Sequence, residues 1–177
     1  MKNPTRAHRR VTTAVAAALM TGGMMLTTVA TATVSNSAGY PTQISPAEQQ
    51  SILSETNSVR QQAGQPSLTW DSGLASAAQA WADNPASTAG GQLHHGSISN
   101  AAENMSGAAP AQATGQWASE KAAYDAAPNH DTNSAGYYTW GHYYNMINGN
   151  YHRMGCGAKS GVSIPGPGWV VVCQYAP

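Results

Sequence analysis

The spacing of apolar positions predicts two helices in the first half of the chain. Residues 45–48, Ser-Pro-Ala-Glu, form a capping box with proline at the first helical position. The helix behind this box ends at Gly64, and its buried face is predicted to consist of Ile52, Thr56, Val59 and Ala63. A second helix begins at Asp71 and stops before Pro85. Its apolar face is predicted to consist of Leu74, Ala77, Ala78 and Trp81.

The middle of the chain has weaker patterning. Residues 86–115 are rich in Gly, Ser, Ala and His, which predicts a loop apart from a short turn near 101–105. A third helix is predicted over 111–126. A short helix is predicted over 145–150, closing on an Asn-Gly turn.

The end of the chain predicts two strands, at 153–159 and 169–175, joined by a loop rich in Gly and Pro. The second strand, Trp-Val-Val-Val-Cys-Gln-Tyr, has the β-branched and aromatic content of a buried strand. Helices and short strands mixed in this way indicate an α+β fold built in layers. The length suits one domain with its own core.

The residues before this domain follow the order typical of a secretory signal peptide. Four basic residues stand at the start, namely Lys2, Arg6, Arg9 and Arg10. An apolar run at 11–30 leads to the small-x-small site Ala30-Thr31-Ala32. We therefore expect a signal peptide at 1–32, a disordered linker at 33–45 and the folded domain at 46–177. A membrane anchor is the rival interpretation, but Thr and Gly interrupt the run and a cleavage site ends it. The expected product is a secreted, extracellular protein with no transmembrane segment.

The charge of the chain argues against partners that are held by positive charge. Beyond the predicted signal peptide the chain has four basic and eight acidic residues, a net charge of about minus four. No basic cluster remains to hold nucleic acid or an anionic membrane surface.

The two cysteines, Cys156 and Cys173, are too few for a structural zinc site of four ligands. In an oxidising compartment a disulfide is the default, and a free buried pair is the alternative.

Glu120 is the most informative residue of the third predicted helix. It shares one helical face with Trp117 and Tyr124, at spacings i, i+3 and i+7. If this face packs inward, the carboxylate must be paired, hydrogen-bonded or bound to a metal, because an isolated buried charge is very costly. If Glu120 lies at the margin of the face, it is solvated. Helix geometry alone leaves both interpretations open.

Other candidate groups are scattered. Glu103 stands in the uncharged stretch 101–105, and five histidines follow the predicted signal peptide: His94, His95, His130, His142 and His152. So many imidazoles among few charges favour a metal or acid–base site. No His-Glu-x-x-His or Gly-x-Ser-x-Gly motif is present, so any site must be assembled from distant segments.

Several short motifs follow one another in a fixed order over residues 46–177. They are Asn57-Ser-Val-Arg60, Pro66-Ser-Leu-Thr-Trp-Asp71, Leu93-His-His95, Glu103-Asn104, Trp117-Ala-Ser-Glu120 with Tyr124, Gly141-His-Tyr143, Met154-Gly-Cys-Gly157 and Val171-Val-Cys-Gln-Tyr175. In this order they resemble the CAP superfamily, the group of cysteine-rich secretory proteins, antigen 5 and pathogenesis-related 1 proteins.

The resemblance implies a three-layer α-β-α sandwich with a central antiparallel sheet and a large cleft. It implies that His95, Glu103, Glu120 and His142 line this cleft, with His95 and His142 as ligands of a loosely bound Zn²⁺ or other divalent ion that folding does not require. It also implies a disulfide between Cys156 and Cys173. Because two histidines are adjacent, His94 is the alternative to His95; His95 is preferred because it lies two positions after Leu93.

Three functions are compatible with the resemblance. The first is a non-enzymatic module that binds a sterol or fatty acid, with Met105, Met146, Ile147 and the loop 106–115 as adaptable apolar surface. The second is a metal-dependent hydrolase with Glu103 or Glu120 as general base. The third is an extracellular module that acts through protein contacts in virulence or defence. Binding and interaction are favoured over catalysis, because a cleft with carboxylates is not yet a mechanism.

Overall fold

The computed structural model describes residues 43–99 and 101–177. The chain divides into two units, Met1–Val34 and Ser35–Pro177, and every described residue belongs to the second. The predicted signal peptide and residues 33–42 of the predicted linker lie outside the described residues.

Residues 43–45, which the sequence assigns to the linker, are already part of the folded unit. Ile44 is buried in the core, and the backbone N–H of Gln43 donates to Gln79 Oε1.

Five helices and four strands make up the described fold. The helices are α1 (Pro46–Gln62), α2 (Ser72–Asp83), α3 (Pro110–Ala118), α4 (Lys121–Ala126) and α5 (Gly141–Ile147). The strands are β1 (Thr69–Trp70), β2 (Ala102–Ser106), β3 (Arg153–Ser160) and β4 (Trp169–Ala176). Short 3₁₀ segments lie at Pro85–Gly91, Pro128–His130 and Tyr137–Thr139. In the part of the chain that the structure describes, no helix is long and apolar enough to cross a membrane.

The sheet has the strand order β1-β3-β4-β2. The three longer strands pair antiparallel, and the two-residue β1 joins the edge of β3 in parallel. The sheet is therefore mixed at one edge, while its centre is antiparallel as the family resemblance implies. Helices cover both faces, which gives the expected α+β sandwich.

The two faces of the sheet bury different side chains. Since successive side chains of a strand point to opposite faces, alternate residues of β3 and β4 separate into two sets. The face toward α1, α3 and α5 carries the larger cluster, including Ile52, Trp117, Tyr143, Met146, Met154, Cys156, Cys173 and Tyr175. The face toward α2 carries a smaller one, formed by Ala78, Ala82, Met105, Val170 and Val172.

Helix α2 packs through a different side from the one that hydrophobicity predicts. Its buried residues are Ala75, Ala78, Gln79 and Ala82, whereas Ala77 is exposed and Leu74 and Trp81 are half-buried. The reason lies in β3, where Gly155 and Gly157 face this helix. A Cβ on Gly157 would lie 2.7 Å from the carbonyl carbon of Ala78. Close approach of two backbones requires small residues on both sides, so the alanine side of α2 meets the glycines.

Strand β2 replaces the turn that was predicted near 101–105. Its five residues pair in register with β4 from Ala102 opposite Tyr175 to Ser106 opposite Val171. The partner strand is about 70 residues away in sequence, and the segment itself has little β-branched content, so local patterning misses the strand. The outer edge of β2 is covered by side chains, because the carbonyls of Glu103 and Met105 accept hydrogen bonds from Asn145 and Trp117. Such cover protects an edge strand from unwanted pairing.

Two predicted helices differ from those observed. The helix expected over 111–126 is divided into α3 and α4 at Ser119 and Glu120, where the Glu120 N–H bonds to the carbonyl of Trp117 in a tightened turn. The helix expected over 145–150 lies at Gly141–Ile147 instead. Its N-terminus lacks a local side-chain cap, and the acceptor for its first N–H groups is Glu120, more than 20 residues earlier. A local reading of the sequence cannot place such an end.

Cys156 and Cys173 form a disulfide between directly opposed residues of β3 and β4. Both side chains are fully buried in the larger cluster. The disulfide predicted for an oxidising compartment is therefore present in the structure, and no free cysteine remains among the described residues.

We expect the double variant Cys156→Ala/Cys173→Ala to lose about 3 kcal/mol of unfolding free energy, because the bond closes a loop of 17 residues in the unfolded chain. Urea denaturation of the variant against the oxidised wild type measures this loss. A difference below about 1 kcal/mol would show that the two strands are held by packing alone.

Candidate functional site

Glu103 and His95 form the first of two histidine–carboxylate pairs. Glu103 lies on β2, and its side chain is only 2% exposed. Its Oε1 is 2.9 Å from Nδ1 of His95 and accepts the Gly96 N–H at 2.9 Å. Its Oε2 accepts from the Gln174 side chain on β4 at 3.3 Å. Both oxygens of this buried carboxylate are thus engaged, and His95 itself is largely exposed.

The adjacent histidines have different environments. His94 turns away from Glu103, and its Nε2 lies 2.9 Å from the carbonyl of Ala89, within the preceding loop. His95 is the residue that meets Glu103. The structure therefore places His95, which the Leu-x-His spacing favoured, against the carboxylate.

Glu120 and His142 form the second pair. Oε1 of Glu120 is 2.6 Å from Nδ1 of His142. Its Oε2 accepts the backbone N–H groups of His142 and Tyr143 at 3.0 and 3.2 Å. Of the two interpretations of Glu120, the structure selects the packed one, since the side chain is 19% exposed and lies at the junction of α3 and α4. Glu120 caps the first turn of α5 and orients the imidazole on that turn.

Two asparagines connect the pairs. Asn104 follows Glu103 on β2 but points to the opposite face, where its Nδ2 donates to the carbonyl of His142 at 2.9 Å. Its Oδ1 accepts from Asn145 Nδ2, also at 2.9 Å. Asn145 in turn reaches the carbonyl of Glu103 at 3.5 Å. The buried network therefore fixes α5, with His142, against the edge strand that carries Glu103.

An open cleft of about 480 Å³ lies beside this network. Its lining includes His95, Glu103, Asn145 and three tyrosines, Tyr137, Tyr144 and Tyr151. Glu120 and His142 are not among the residues of this lining. Among the described residues, no three His, Cys, Asp or Glu side chains are grouped closely enough to hold a metal together.

Tyr137 and Tyr151 of the cleft are neutral hydrogen-bonding groups at physiological pH. Burial raises the pKa of Tyr137 and of Tyr151 above the usual value. The hydroxyl of Tyr137 donates to Asn145 Oδ1 at 3.5 Å. The phenols therefore present a donor, an acceptor and an apolar ring, but no charge.

Three groups of this site were not predicted from the sequence as functional: Asn104, Asn145 and Tyr137. Asn104 stands next to Glu103 in a short motif, and only its neighbour was selected as a candidate. Asn145 and Tyr137 have no local signature. The one available signal is the density of aromatic residues at 137–144, in a chain that has no phenylalanine.

The apolar surface that was expected from Met105, Met146 and Ile147 is not surface. Met105 is 5% exposed and Met146 fully buried, and Ile147 is also part of the core. Their apolar side chains fill the space between the sheet and its helices, so the interpretation as core residues is the right one.

The fold is thus an α+β sandwich with a histidine–carboxylate pair on each side of a buried asparagine network. The model of the CAP family (cysteine-rich secretory protein family) matches residues 53–175. The chain belongs to this family.

Known relatives agree with this assignment. Pathogenesis-related protein 1B of Nicotiana tabacum is 33% identical over 132 residues, which covers 73% of this chain and 74% of the tobacco protein. Pathogenesis-related leaf protein 4 of Solanum lycopersicum is 30% identical over 128 residues, covering 72% and 76% of the two chains. Among solved structures, venom allergen-like protein 4 of Schistosoma mansoni is similar with a TM-score of 0.50 at 22% identity, covering 73% of this chain and 88% of its own. At that identity the last likeness concerns the fold alone.

Proposed function

We propose that this protein is a secreted binding module of the pathogenesis-related 1 type. We also propose that His95 and His142 bind a divalent ion with low affinity, with Zn²⁺ as the first candidate. One observation carries the metal part of the proposal. Each imidazole directs Nδ1 to a carboxylate, so each Nε2 is oriented as the ligand nitrogen.

The donor set fits a weak site. A carboxylate on the second ring nitrogen is the usual support of a metal-bound histidine, because it fixes the tautomer and raises the basicity of the ligand nitrogen. Two protein ligands leave the remaining positions to water, whereas catalytic zinc usually has three protein ligands. When bound, the ion would supply a Lewis-acidic centre with exchangeable water. Two protein ligands make a weak site, so folding is not expected to require the metal.

The environment of the carboxylates favours binding over catalysis. A general base must have a lone pair within reach of the proton that it removes. All four oxygens of Glu103 and Glu120 accept hydrogen bonds from this chain's own N–H groups or imidazoles. These carboxylates act here as positioning groups, so the hydrolase interpretation gains no support from their geometry.

Secretion and an interaction role complete the proposal. The buried disulfide suits a protein that folds in an oxidising compartment. The tobacco and tomato relatives are named for pathogenesis, which supports a defence or interaction role outside the cell. A sterol or fatty acid fits the cleft poorly, because the cleft has polar side chains and the methionines are in the core.

Zinc titration by calorimetry tests the metal site. We expect saturable binding of one ion to the protein. His95→Ala and His142→Ala should each weaken binding by at least about tenfold, because each removes one of two protein ligands. His152→Ala is the matched control, since His152 is exposed and lies on neither pair.

Circular dichroism and melting of each variant confirm that the fold is intact before the titrations are compared. Binding that persists in both cleft variants, or that disappears equally in His152→Ala, would contradict the assignment. No binding to the wild type would remove the metal from the proposal and leave the interaction role to be tested with protein partners.

A further inference from the structure

Tyr137 is held as a fixed aromatic wall of the cleft by contacts on three sides. Its ring lies against Gly141, where a Cβ would come within 2.8 Å of the phenol carbon Cζ, so only glycine permits this position. Trp140 meets the same ring edge-on, with centroids 5.0 Å apart at 85°. The hydroxyl bonds to Asn145. A ring restrained in this way loses little conformational entropy when a ligand stacks on it.

Tyr144 provides a second wall. Its ring is 6.4 Å from that of Tyr137 at an interplanar angle of 74°, and 5.9 Å from Trp140 at 77°. The two tyrosines therefore form a corner rather than a flat surface. Both line the cleft, and both remain partly exposed.

The polar groups between the tyrosines are uncharged. They are the side chains of Thr132, Asn145 and Asn148 together with the phenol hydroxyls. Among the described residues of the lining, Glu103 is the one carboxylate, and it is 2% exposed and bonded to His95, Gly96 and Gln174. The same described residues include no Lys or Arg. An anionic ligand would find no countercharge among these residues beyond the imidazole of His95, and a lipid tail would cover the phenol hydroxyls and the Thr132 side chain.

We infer that the cleft binds a neutral carbohydrate, with a pyranose ring stacked on Tyr137, its edge against Tyr144, and its hydroxyls hydrogen-bonded to Thr132, Asn148 and the phenol hydroxyls of the lining. This inference rests on the proposed function as a binding module and names the ligand class of its cleft. The C–H faces of a pyranose match aromatic rings, and its hydroxyls match donors and acceptors that carry no charge. The cleft is open, with a volume of about 480 Å³.

Saturation-transfer NMR and calorimetry with cellotriose and N-acetylchitotriose test the inference on the intact domain. We expect saturation transfer to the ring C–H protons of at least one of the two sugars. Tyr137→Ala should weaken its binding by at least about fivefold, the usual consequence of removing a stacking ring. Tyr137→Phe keeps the ring and should bind within about twofold of the wild type, which also provides a variant that preserves the packing against Gly141.

Tyr138→Ala is the matched control. Tyr138 is the next residue, is 88% exposed and does not line the cleft, so its removal should leave sugar binding unchanged. The inference would be overturned by no transfer to either sugar, or by equal losses in the 137 and 138 alanine variants. Transfer to an uncharged Gly-Ser-Asn peptide but to neither sugar would overturn it as well.

The metal and the sugar are tested separately. Sugar binding with no zinc binding would support the carbohydrate inference and remove the metal from the proposed function. Zinc binding with no sugar binding would overturn the carbohydrate inference and support the metal site.

Discussion

Replacement of Arg60 by methionine is expected to lower the free energy of unfolding by about 4 kcal/mol. The guanidinium is fully buried and its partners are carbonyls rather than carboxylates. Nε donates to Pro66 at 2.7 Å, Nη1 to Met146 and Asn148 at 2.8 and 2.9 Å, and Nη2 to Tyr151 at 3.0 Å. Methionine fills much of the same volume but leaves four carbonyls without these donors, and buried unsatisfied acceptors are costly.

Arg60→Lys should also be strongly destabilising, because a single ammonium cannot reproduce the planar fork that reaches four acceptors. Burial lowers the pKa of Arg60, yet a guanidinium remains protonated, while a buried lysine is more easily neutralised. Chemical denaturation of both variants measures the effect. Arg153→Met is the control: Arg153 is half exposed and paired with Asp71, so its loss should be about 1 kcal/mol or less.

A loss below about 1 kcal/mol in Arg60→Met would show that water replaces the guanidinium and that the fold does not depend on it. The same residue also reaches the cleft, since it holds the carbonyls of Asn148 and Tyr151, two residues of the lining. Arg60 thus connects α1 with the end of α5 and with the floor of the candidate site. In the sequence, Arg60 stands out only as part of a family motif.

Gly157→Ala is expected to lower the free energy of unfolding by about 3 kcal/mol or more. The added Cβ would overlap the backbone N and Cα of Gln79 and lie 2.7 Å from the carbonyl carbon of Ala78. These atoms belong to a helix backbone and cannot move aside as a flexible side chain does. Helix α2 must therefore shift away from β3, which opens the smaller core cluster.

Gly115→Ala is the matched control for this substitution. Gly115 lies inside α3, and a Cβ there meets nothing within 4 Å. Because alanine is the better helix former, this variant should be neutral or more stable by up to about 1 kcal/mol. Urea denaturation of the two variants side by side gives the comparison. Similar stabilities for both would mean that α2 does not pack directly on the glycines of β3.

The site illustrates the part of the structure that patterning does not reach. The resemblance selected His95, Glu103, Glu120 and His142, and the structure brings each histidine to one carboxylate. The resemblance did not indicate that these residues form two histidine–carboxylate pairs, or that Asn104 and Asn145 connect the pairs. Those contacts join residues about 40 positions apart. Asn104 stands in a family motif that does not indicate what its side chain contacts, and Asn145 stands in no motif.

By itself the sequence determined the elements whose signals are local. The capping box at 45–48 begins α1 as predicted, Asp71 caps α2, and the β-branched run 169–175 lies in a buried strand. Its ordered motifs also indicated the family, and its two cysteines allow only one disulfide within the chain, with a free buried pair as the alternative. The tertiary structure alone decided that 102–106 is a strand, that α2 presents alanines to the sheet and that Glu120 caps α5. In each case the stabilising partner lies far away in sequence: β4 for the strand, Gly155 and Gly157 for the helix, and the first turn of α5 for the carboxylate. Hydrogen bonds and backbone contacts between distant residues outweigh weak local propensity. Elements that depend on them therefore cannot be predicted from local sequence patterns.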